Sequence, residues 1–283
     1  MAGVRVTAPT EPGVYSGVPE SVYHADRNSI SSSQARRLLA ISPAEWKWEL
    51  DHPEARVPTD SMELGTAVHT EVLRKGARYI QVNAPNWKKP EDQQRRKAIR
   101  ARGEVPLLPA QVDQVRAMAA SVRNHPVAGP LFESGTAELS AYARDPQTGV
   151  MMRARTDWLR ETGGGQRIAV DLKTDESSDP DEFGTAVARW GYHIQEPWYE
   201  DVFELAGLPI SAWLWVVVSK RPPYLVSVCE LPPRALDLGR ESVRRALDIY
   251  AKCSAADEWP GHAPVIHQID LPRWAYKNQE YRP

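Results

Sequence analysis

Residues 153–174 of the chain read RARTDWLRETGGGQRIAVDLKT. Alternating apolar and polar side chains predict two strands, and the three glycines between them predict the turn of a hairpin. Side chains two positions apart in a strand share a face, so Asp171 and Lys173 should point the same way. The hairpin would bring Asp157 alongside them. We therefore expect two carboxylates and a lysine to converge at a sheet edge, where both aspartates end their strands.

Such a cluster is suited to divalent-metal chemistry on a phosphate ester. Hard cations such as Mg²⁺ bind one or two carboxylates together with water and phosphate oxygens. The metal lowers the pKa of a bound water and offsets charge on a phosphodiester under attack. A lysine beside it can orient that water or stabilise the oxyanion. A surface Asp–Lys pair on a hairpin gives the same short pattern, so the rest of the chain must decide between the two interpretations.

The overall composition is that of a globular protein and allows one large domain or two small ones. The chain has 283 residues, of which 42% are hydrophobic and 25% charged. The net charge of −2 provides no overall basic field for a nucleic-acid partner. A DNA site would have to come from local clusters of basic residues, or from a symmetric assembly that combines several weak patches.

Two cysteines, Cys229 and Cys253, are too few for a four-thiolate zinc or iron–sulfur centre. The sequence also lacks a P-loop and a G-x-G-x-x-G fingerprint, so we expect no iron–sulfur cluster and no nucleotide cofactor. No signal peptide precedes the first elements, and no apolar run approaches the length of about 20 residues that a membrane span needs. We therefore expect a cytoplasmic protein without a membrane partner.

Proline, glycine and hydrophobic spacing divide the rest of the chain into elements. Residues 1–27 are rich in proline and glycine and predict an irregular lead-in. A polar turn at 145–149 separates two predicted strands. Helices are predicted at 34–39, 44–50, 61–75, 109–124, 192–206 and 233–257, with another ending near residue 190; strands are predicted at 137–144, 150–160, 168–174, 212–219 and 224–230.

Two of the predicted helices carry polar residues that could belong to a site. The helix at 61–75 should end at Gly76, a favoured C-cap, and it places Gly65 and His69 on one face. A single histidine on such a helix is either a hydrogen-bonded core residue or a metal ligand, and its position alone does not decide. On the helix at 192–206, Gln195 and Tyr199 lie four residues apart and therefore share a face.

Residues 87–103 form the most basic segment of the chain. Such a run is either the solvated face of a helix or a surface that contacts phosphates, and the sequence leaves both open. The candidate DNA contacts are Lys88, Lys89, Arg95, Arg96, Lys97 and Arg100.

In order along the chain, these motifs resemble the PD-(D/E)xK nuclease superfamily in its RecB-like branch. The succession is G-x-x-x-H at 65–69, a single Asp157, D-x-K-T at 171–174 and Q-x-x-x-Y at 195–199. Further stretches are similar to the nuclease domain of RecE, and the resemblance covers nearly the whole chain. They are 23–26, 29–31, the basic insertion at 87–103, 192–195, 258–260 and 271–275.

The resemblance implies an α/β fold with a restriction-endonuclease-like core, in which helices flank both faces of a central mixed sheet. It implies one nuclease domain over 28–283. By the same resemblance, the metal ligands are His69, Asp157, Asp171 and the main-chain carbonyl of Leu172. Lys173 positions or activates the attacking water, while Gln195 and Tyr199 support the site and the DNA backbone.

The implied activity is a 5′→3′ exodeoxyribonuclease that acts on double-stranded DNA ends and leaves a 3′ single strand. RecE-like enzymes use Mg²⁺, for which Mn²⁺ often substitutes, and they form rings, with a tetramer favoured here and a trimer also possible. They work with a single-strand annealing protein of RecT type and are typically encoded by phages or prophages. RecE itself carries a long N-terminal region that this sequence lacks.

Two alternatives remain at this stage. One is another RecB-like DNA nuclease, although the iron–sulfur nucleases associated with CRISPR need more cysteines than this chain has. The other is a catalytically inactive DNA-binding or assembly module on the same fold. Such degenerate members usually lose an aspartate or the lysine, whereas all of these residues are present here.

Overall fold

A mixed β-sheet runs through the centre of the protein. The computed structural model describes residues 7–53, 57–272 and 275–276. In the described residues this sheet has seven strands, in the spatial order β1-β5-β6-β7-β8-β9, with β2 paired to β6, while β3 and β4 form a separate parallel pair. The strands are β1 (Gly13–Tyr15), β2 (Ile30–Ser31), β3 (Tyr79–Gln81), β4 (Val105–Leu107), β5 (Thr136–Arg144), β6 (Met151–Glu161), β7 (Arg167–Asp175), β8 (Ala212–Ser219) and β9 (Val226–Cys229).

Helices cover both faces of the sheet. Successive strand residues alternate between two hydrophobic cores, as the pleat requires: Ala169 and Val217 face one core, and Val170 and Val216 face the other. The described helices are α1 (Glu20–Ala25), α2 (Ser32–Ala40), α3 (Pro43–Asp51), α4 (Asp60–Leu73), α5 (Pro90–Arg100), α6 (Pro109–Asn124), α7 (Ala128–Leu131), α8 (Pro180–Trp190), α9 (Tyr192–Leu205) and α10 (Pro233–Ala256).

The two cores divide the helices between the sheet faces. Helices α2, α3, α8, α9 and α10 pack against the first core, which contains the buried Trp198 and Trp215. Helices α4 and α6 pack against the second through Val68 and Met118. None of the helices in the described part of the chain is long and apolar enough to cross a lipid bilayer. The expected α/β architecture, with a central mixed sheet between helices, is confirmed.

The central strands β6 and β7 part from one another halfway along their length. Their antiparallel pairing runs from Glu161↔Arg167 to Trp158↔Val170 and ends there. The earlier part of β6 pairs instead with β2, in parallel, at Met152 and Arg153. Strand β7 continues beside β8, so an opening forms between β6 and β7 next to Asp157. The aspartates therefore lie inside their strands at this opening, and the expectation that they end their strands at a sheet edge is wrong.

Three smaller expectations differ from the structure. Residues 1–27 are not irregular throughout, since they contain β1, which pairs with β5, and α1. Helix α4 ends at Leu73 with Arg74 in the left-handed conformation, two residues before Gly76, which also has a positive φ. Strand β9 is shorter than predicted, because Tyr224 adopts a positive φ that does not suit a strand. The match predicted at 271–275 falls partly outside the described residues.

Candidate active site

The side chain of Asp157 lies at the opening between β6 and β7. Its Oδ2 atom accepts a hydrogen bond of 2.9 Å from the main-chain N–H of Leu172 on β7. The carboxylate therefore accepts the hydrogen bond of a strand N–H at the point where the antiparallel pairing of β6 and β7 has ended. The same oxygen lies 3.5 Å from Nδ1 of His69. One oxygen atom thus joins β6, β7 and α4.

Asp171 is buried on the neighbouring strand and meets two side chains. Gln195 Nε2 donates a hydrogen bond of 2.5 Å to its Oδ1. The Nζ of Lys173 lies 2.5 Å from Oδ2, a charge contact without hydrogen-bond alignment, so Oδ2 is a buried oxygen that has no hydrogen-bond donor. The predicted convergence of Asp157, Asp171 and Lys173 is found in the structure.

Two aromatic rings hold Lys173 in place. Its Nζ lies 4.6 Å from the ring centroid of Tyr192 and 5.2 Å from that of Trp215, and these rings stack on each other. Burial acts to lower the pKa of Lys173, but the adjacent Asp171 carboxylate outweighs it and the pKa is raised. The side chain is therefore an ammonium group at neutral pH.

The pKa of Asp157 is shifted towards the neutral range. Enclosure in the site raises it to about 6; His69 opposes the rise and the neighbouring Asp171 carboxylate adds to it. Two carboxylates this close together make the site electronegative even with Lys173 beside them. Such a site favours the entry of a cation.

Helix α4 delivers His69 to the site because Gly65 lets the helix approach β7. A Cβ atom at Gly65 would lie 3.1 Å from Oγ1 of Thr174, closer than most side chains tolerate. One turn later, His69 lines the cavity beside Asp157. The apolar stripe of the same helix packs on Val170 and Leu172 of β7. The G-x-x-x-H spacing thus combines a close helix–strand contact with a side chain that reaches the carboxylate.

Helix α9 contributes Gln195 and Tyr199 from one face, as predicted. Tyr199 lines the same cavity and packs edge-to-face against Trp213, with ring centroids 5.1 Å apart. Burial raises the pKa of the Tyr199 hydroxyl well above its usual value, so the group stays protonated. Both side chains are therefore neutral hydrogen-bonding groups beside a charged centre.

The cavity contains two arginines that the sequence analysis did not select, Arg36 and Arg155. Arg155 lies two residues before Asp157 on β6, which is the signal that could have identified it. Arg36 lies on α2, and nothing in the sequence distinguishes it from its neighbour Arg37. Tertiary structure alone brings α2 to the site.

The basic segment divides into two groups. Arg96 pairs with Asp60 and Glu63, and Arg100 Nε lies 2.7 Å from the buried Glu63, so both arginines tie α5 to α4. The exposed basic side chains of the segment are Lys88, Lys89, Arg95, Lys97 and Arg102, of which Arg102 pairs with Glu104.

The donor atoms at the opening fit a hard divalent cation. They comprise two carboxylates and an imidazole, with Asp171 Oδ2 buried and without a hydrogen-bond donor. Within the described residues, no three His, Cys, Asp or Glu side chains enclose a metal position by themselves. Mg²⁺ suits an incomplete set of this kind, because it keeps several waters and phosphate oxygens among its ligands. His69, Asp157, Asp171 and the Leu172 carbonyl are the groups that would hold it.

Comparison with known proteins agrees with this geometry. The model of the family described as "PDDEXK-like domain of unknown function (DUF3799)" matches residues 31–271, most of the chain. The chain belongs to this PDDEXK-like family. The D-x-K motif of the family name corresponds in type to Asp171 and Lys173, which lie together at the opening.

A solved structure shows the same fold for this PDDEXK-like domain. A crystal structure of a candidate exonuclease from Eubacterium rectale has a TM-score of 0.61 at 12% identity, over 94% of this chain and 99% of that chain. A second structure, SSO0001, has a TM-score of 0.27 at 10% identity, over 70% and 83% of the two chains, which is too low to indicate a shared fold. No curated protein matches the sequence significantly.

Proposed function

We propose that this PDDEXK-like nuclease domain is a Mg²⁺-dependent exodeoxyribonuclease. It degrades one strand of linear double-stranded DNA in the 5′→3′ direction and leaves 3′ single strands for recombination by strand annealing. The observation that carries the proposal is the meeting of Asp157, Asp171 and Lys173 where β6 and β7 part, with Gln195 bonded to Asp171. Family membership and the fold of the candidate exonuclease support nuclease chemistry.

The bound metal would supply Lewis acidity towards water and the phosphate. The chain's own groups do the rest. Asp157 is kept in place by the Leu172 N–H, and Asp171 by the Gln195 amide, so both carboxylates face the cavity in fixed orientations. Fixed ligands reduce the reorganisation that a reaction requires.

Lys173 acts as an ammonium donor. It can position or activate the attacking water, or donate to a non-bridging phosphate oxygen. The rings of Tyr192 and Trp215 limit its movement. In the reaction, water adds its oxygen to phosphorus, the bond from phosphorus to the 3′ oxygen breaks, and a proton from water ends on the departing oxygen.

DNA would reach the site past the exposed part of the basic segment. Lys88, Arg95 and Lys97 are exposed and can contact phosphates, as can Lys89, which lies 3.8 Å from Glu91, whereas Arg96 and Arg100 are held in ion pairs with α4. A ring of subunits, a tetramer in preference to a trimer, would combine these patches around one channel. A RecT-type annealing protein as partner, phage or prophage origin, cytoplasmic location and replacement of Mg²⁺ by Mn²⁺ are further parts of the proposal, taken from the RecE resemblance.

Another RecB-like DNA nuclease is the nearest alternative, and a catalytically inactive DNA-binding module is the second. The presence of both aspartates and the lysine at the opening favours an active enzyme over the second.

Digestion of a linear duplex labelled at one 5′ end tests the proposal. With Mg²⁺, the wild-type protein should release labelled mononucleotide and spare closed circles. Lys173→Ala should lose this activity, whereas Lys47→Ala should keep it, because Lys47 only pairs with Asp51 at the surface. Release from 3′ ends, or nicking of circles, would favour another RecB-like nuclease. No metal-dependent loss of any DNA would reject the enzyme.

A further inference from the structure

Arg36 is a cation in the active-site cavity whose described contacts are to a main-chain carbonyl and an aromatic ring. Its Nη1 donates a hydrogen bond of 2.7 Å to the main-chain carbonyl of Trp190, and its guanidinium lies 5.7 Å from the ring centroid of Tyr192. Its Nε is buried without a hydrogen-bond acceptor. In the part of the chain that the structure describes, it makes no ion pair with a carboxylate.

Of the nearby basic residues, Arg37 has a carboxylate partner, whereas Arg155 and Lys75 donate to neutral oxygen atoms. Arg37, the next residue on α2, points away and binds Glu49, with Nε 2.9 Å from Oε2. Inside the cavity, Arg155 donates to Ser140 Oγ at 2.9 Å and to the Val18 carbonyl at 2.7 Å. Lys75 donates to the Ala137 carbonyl at 2.9 Å. Arg36 keeps donor capacity that the surrounding protein does not use.

Arg36 is half-buried, so its charge is partly shielded from water. Burial lowers the pKa of Arg36, with the Asp171 carboxylate among the groups that oppose the shift, and an arginine remains charged in a protein. An anionic group entering the cavity would offset the cost of enclosing this charge.

The corner between α8 and α9 fixes the position of the guanidinium. Trp190 supplies the carbonyl that Arg36 binds, and Tyr192 supplies the ring beneath it. Between them, Gly191 adopts a left-handed conformation with φ of 68°, and a Cβ atom there would lie 3.0 Å from Cδ of Arg36. The same Tyr192 ring contacts Lys173. Arg36 and Lys173 are therefore held against one aromatic ring at one end of the cavity.

We infer that Arg36 is a phosphate-binding residue that donates to non-bridging oxygens of the DNA strand in the active-site cavity, beside Lys173. The inference rests on the proposed function and names a contact within it. A guanidinium donates to phosphate oxygens through several N–H groups, and the hydrogen bond described for Arg36 uses Nη1 alone. Arg36 and Lys173 lie against the Tyr192 ring, with Lys173 in contact with the Asp171 carboxylate, so the two cations would orient a phosphodiester beside the carboxylates.

The test compares Arg36→Gln with Arg37→Gln on the full chain. We would measure chemical unfolding, affinity for a fluorescein-labelled 20-base-pair duplex in Ca²⁺ at several salt concentrations, and cleavage in Mg²⁺. Arg36→Gln should unfold at the same or a higher denaturant concentration than wild type, because it removes a partly buried charge. Its affinity for DNA should fall at least about tenfold, and the salt slope by about one.

Arg37→Gln serves as the control, and Arg36→Lys serves as the conservative variant. Arg37→Gln should leave affinity and salt slope unchanged within about twofold, since a surface pair contributes little. Arg36→Lys should recover part of the affinity as a single point charge.

Two kinds of failure are distinguishable. If wild type binds and cleaves DNA, and Arg36→Gln unfolds more easily but binds DNA with unchanged affinity and salt slope, Arg36 only joins α2 to the α8–α9 corner and the inference is wrong. If wild type neither binds nor cleaves DNA, the proposed function itself fails and the inference fails with it.

Discussion

Strand β6 passes through two buried charged clusters that are organised in opposite ways. Near its start, Arg153 is almost fully buried: Nη1 binds Ser29 and Nη2 donates to Gln34 at 3.0 Å, whereas the buried Nε has no acceptor among the described residues. Asp26 lies 3.8 Å from the same guanidinium. Four residues further on, Asp157 faces Asp171, a second carboxylate, across the opening between β6 and β7.

The difference separates a structural cluster from a functional one. Around Arg153, opposite charges and hydrogen-bonding groups of β2 and α2 surround one cation, and the cluster joins the N-terminal elements to the sheet. Around Asp157, two carboxylates are brought together beside His69 and Lys173, and the Asp171 carboxylate helps to raise the pKa of Asp157. Paired carboxylates with a shifted pKa in a cavity are typical of a site that binds a ligand.

Replacing Asp171 should give the largest effect on activity. Asp171→Asn removes one of two neighbouring carboxylates, so we expect cleavage to fall at least about 10³-fold. It also leaves the Lys173 ammonium beside a neutral amide, so we expect the free energy of unfolding to fall, although relief of the repulsion with Asp157 offsets part of that loss. Parallel cleavage and denaturation assays would check both, and a folded variant that keeps the wild-type cleavage rate would contradict this role.

Arg153→Met should have the opposite profile. Removing this guanidinium leaves Asp26 and polar groups of Ser29 and Gln34 without their partner, and we expect a loss of about 3 kcal/mol in the free energy of unfolding. The folded fraction should still cleave DNA. Urea denaturation followed by circular dichroism measures the loss, and a change below about 1 kcal/mol would contradict this role.

Glu196 is a buried carboxyl group whose effect on the stability of the protein depends on pH. It is 4% exposed, accepts a hydrogen bond of 3.1 Å from the Trp215 indole, and burial raises its pKa to about 8 from an ordinary value of 4.5. Between pH 4.5 and about pH 8, Glu196 therefore stays protonated in the folded protein, whereas it has lost its proton in the unfolded chain. Its stabilising effect is complete below pH 4.5 and is lost as the pH rises towards 8.

We expect Glu196→Gln to remove this dependence. Relative to the variant, wild type should lose about 2 kcal/mol of stability between pH 5 and pH 7. Glu200→Gln, on the same helix, is the matched control, because Glu200 pairs with Arg240 at 3.2 Å. Unfolding curves at several pH values decide the point, and parallel profiles for wild type and Glu196→Gln would refute it.

Gln195→Ala should have the smallest effect of the four substitutions, the others being Asp171→Asn, Arg153→Met and Glu196→Gln. It removes the donor to Asp171 Oδ1 but leaves Lys173 in place, so we expect cleavage to slow by about tenfold. Gln114→Ala is a suitable control, because Gln114 also donates one hydrogen bond, to the Lys220 carbonyl, away from the site. Equal rates for both variants and wild type would show that Asp171 needs no support from α9.

Local pattern was enough to predict the acidic cluster. The hairpin of β6 and β7, the shared face of Asp171 and Lys173, and the spacing of Gly65 and His69 all follow from the periods of strands and helices. These relations connect residues that are close in sequence or lie on one element. For the same reason the helices with a clear apolar stripe were predicted nearly to their observed ends.

Long-range pairing could not be predicted in this way. The two-residue strand β2 takes the place of β7 beside Met152 and Arg153, and so creates the opening at Asp157, yet no periodicity marks so short a strand. Arg96 and Arg100 are predicted DNA contacts, yet both pair with the buried Glu63, a partner that no local pattern predicts. In each case the deciding partner is distant in sequence.

The central claim is that the carboxylates at the β6–β7 opening are brought together to hold a divalent cation. Titration of Mn²⁺ followed by electron paramagnetic resonance tests it on wild type, Asp171→Asn and Asp26→Asn, with circular dichroism to confirm folding. Wild type and Asp26→Asn should bind Mn²⁺ equally, and Asp171→Asn should bind it at least about tenfold more weakly. Equal binding by all three proteins would contradict the claim.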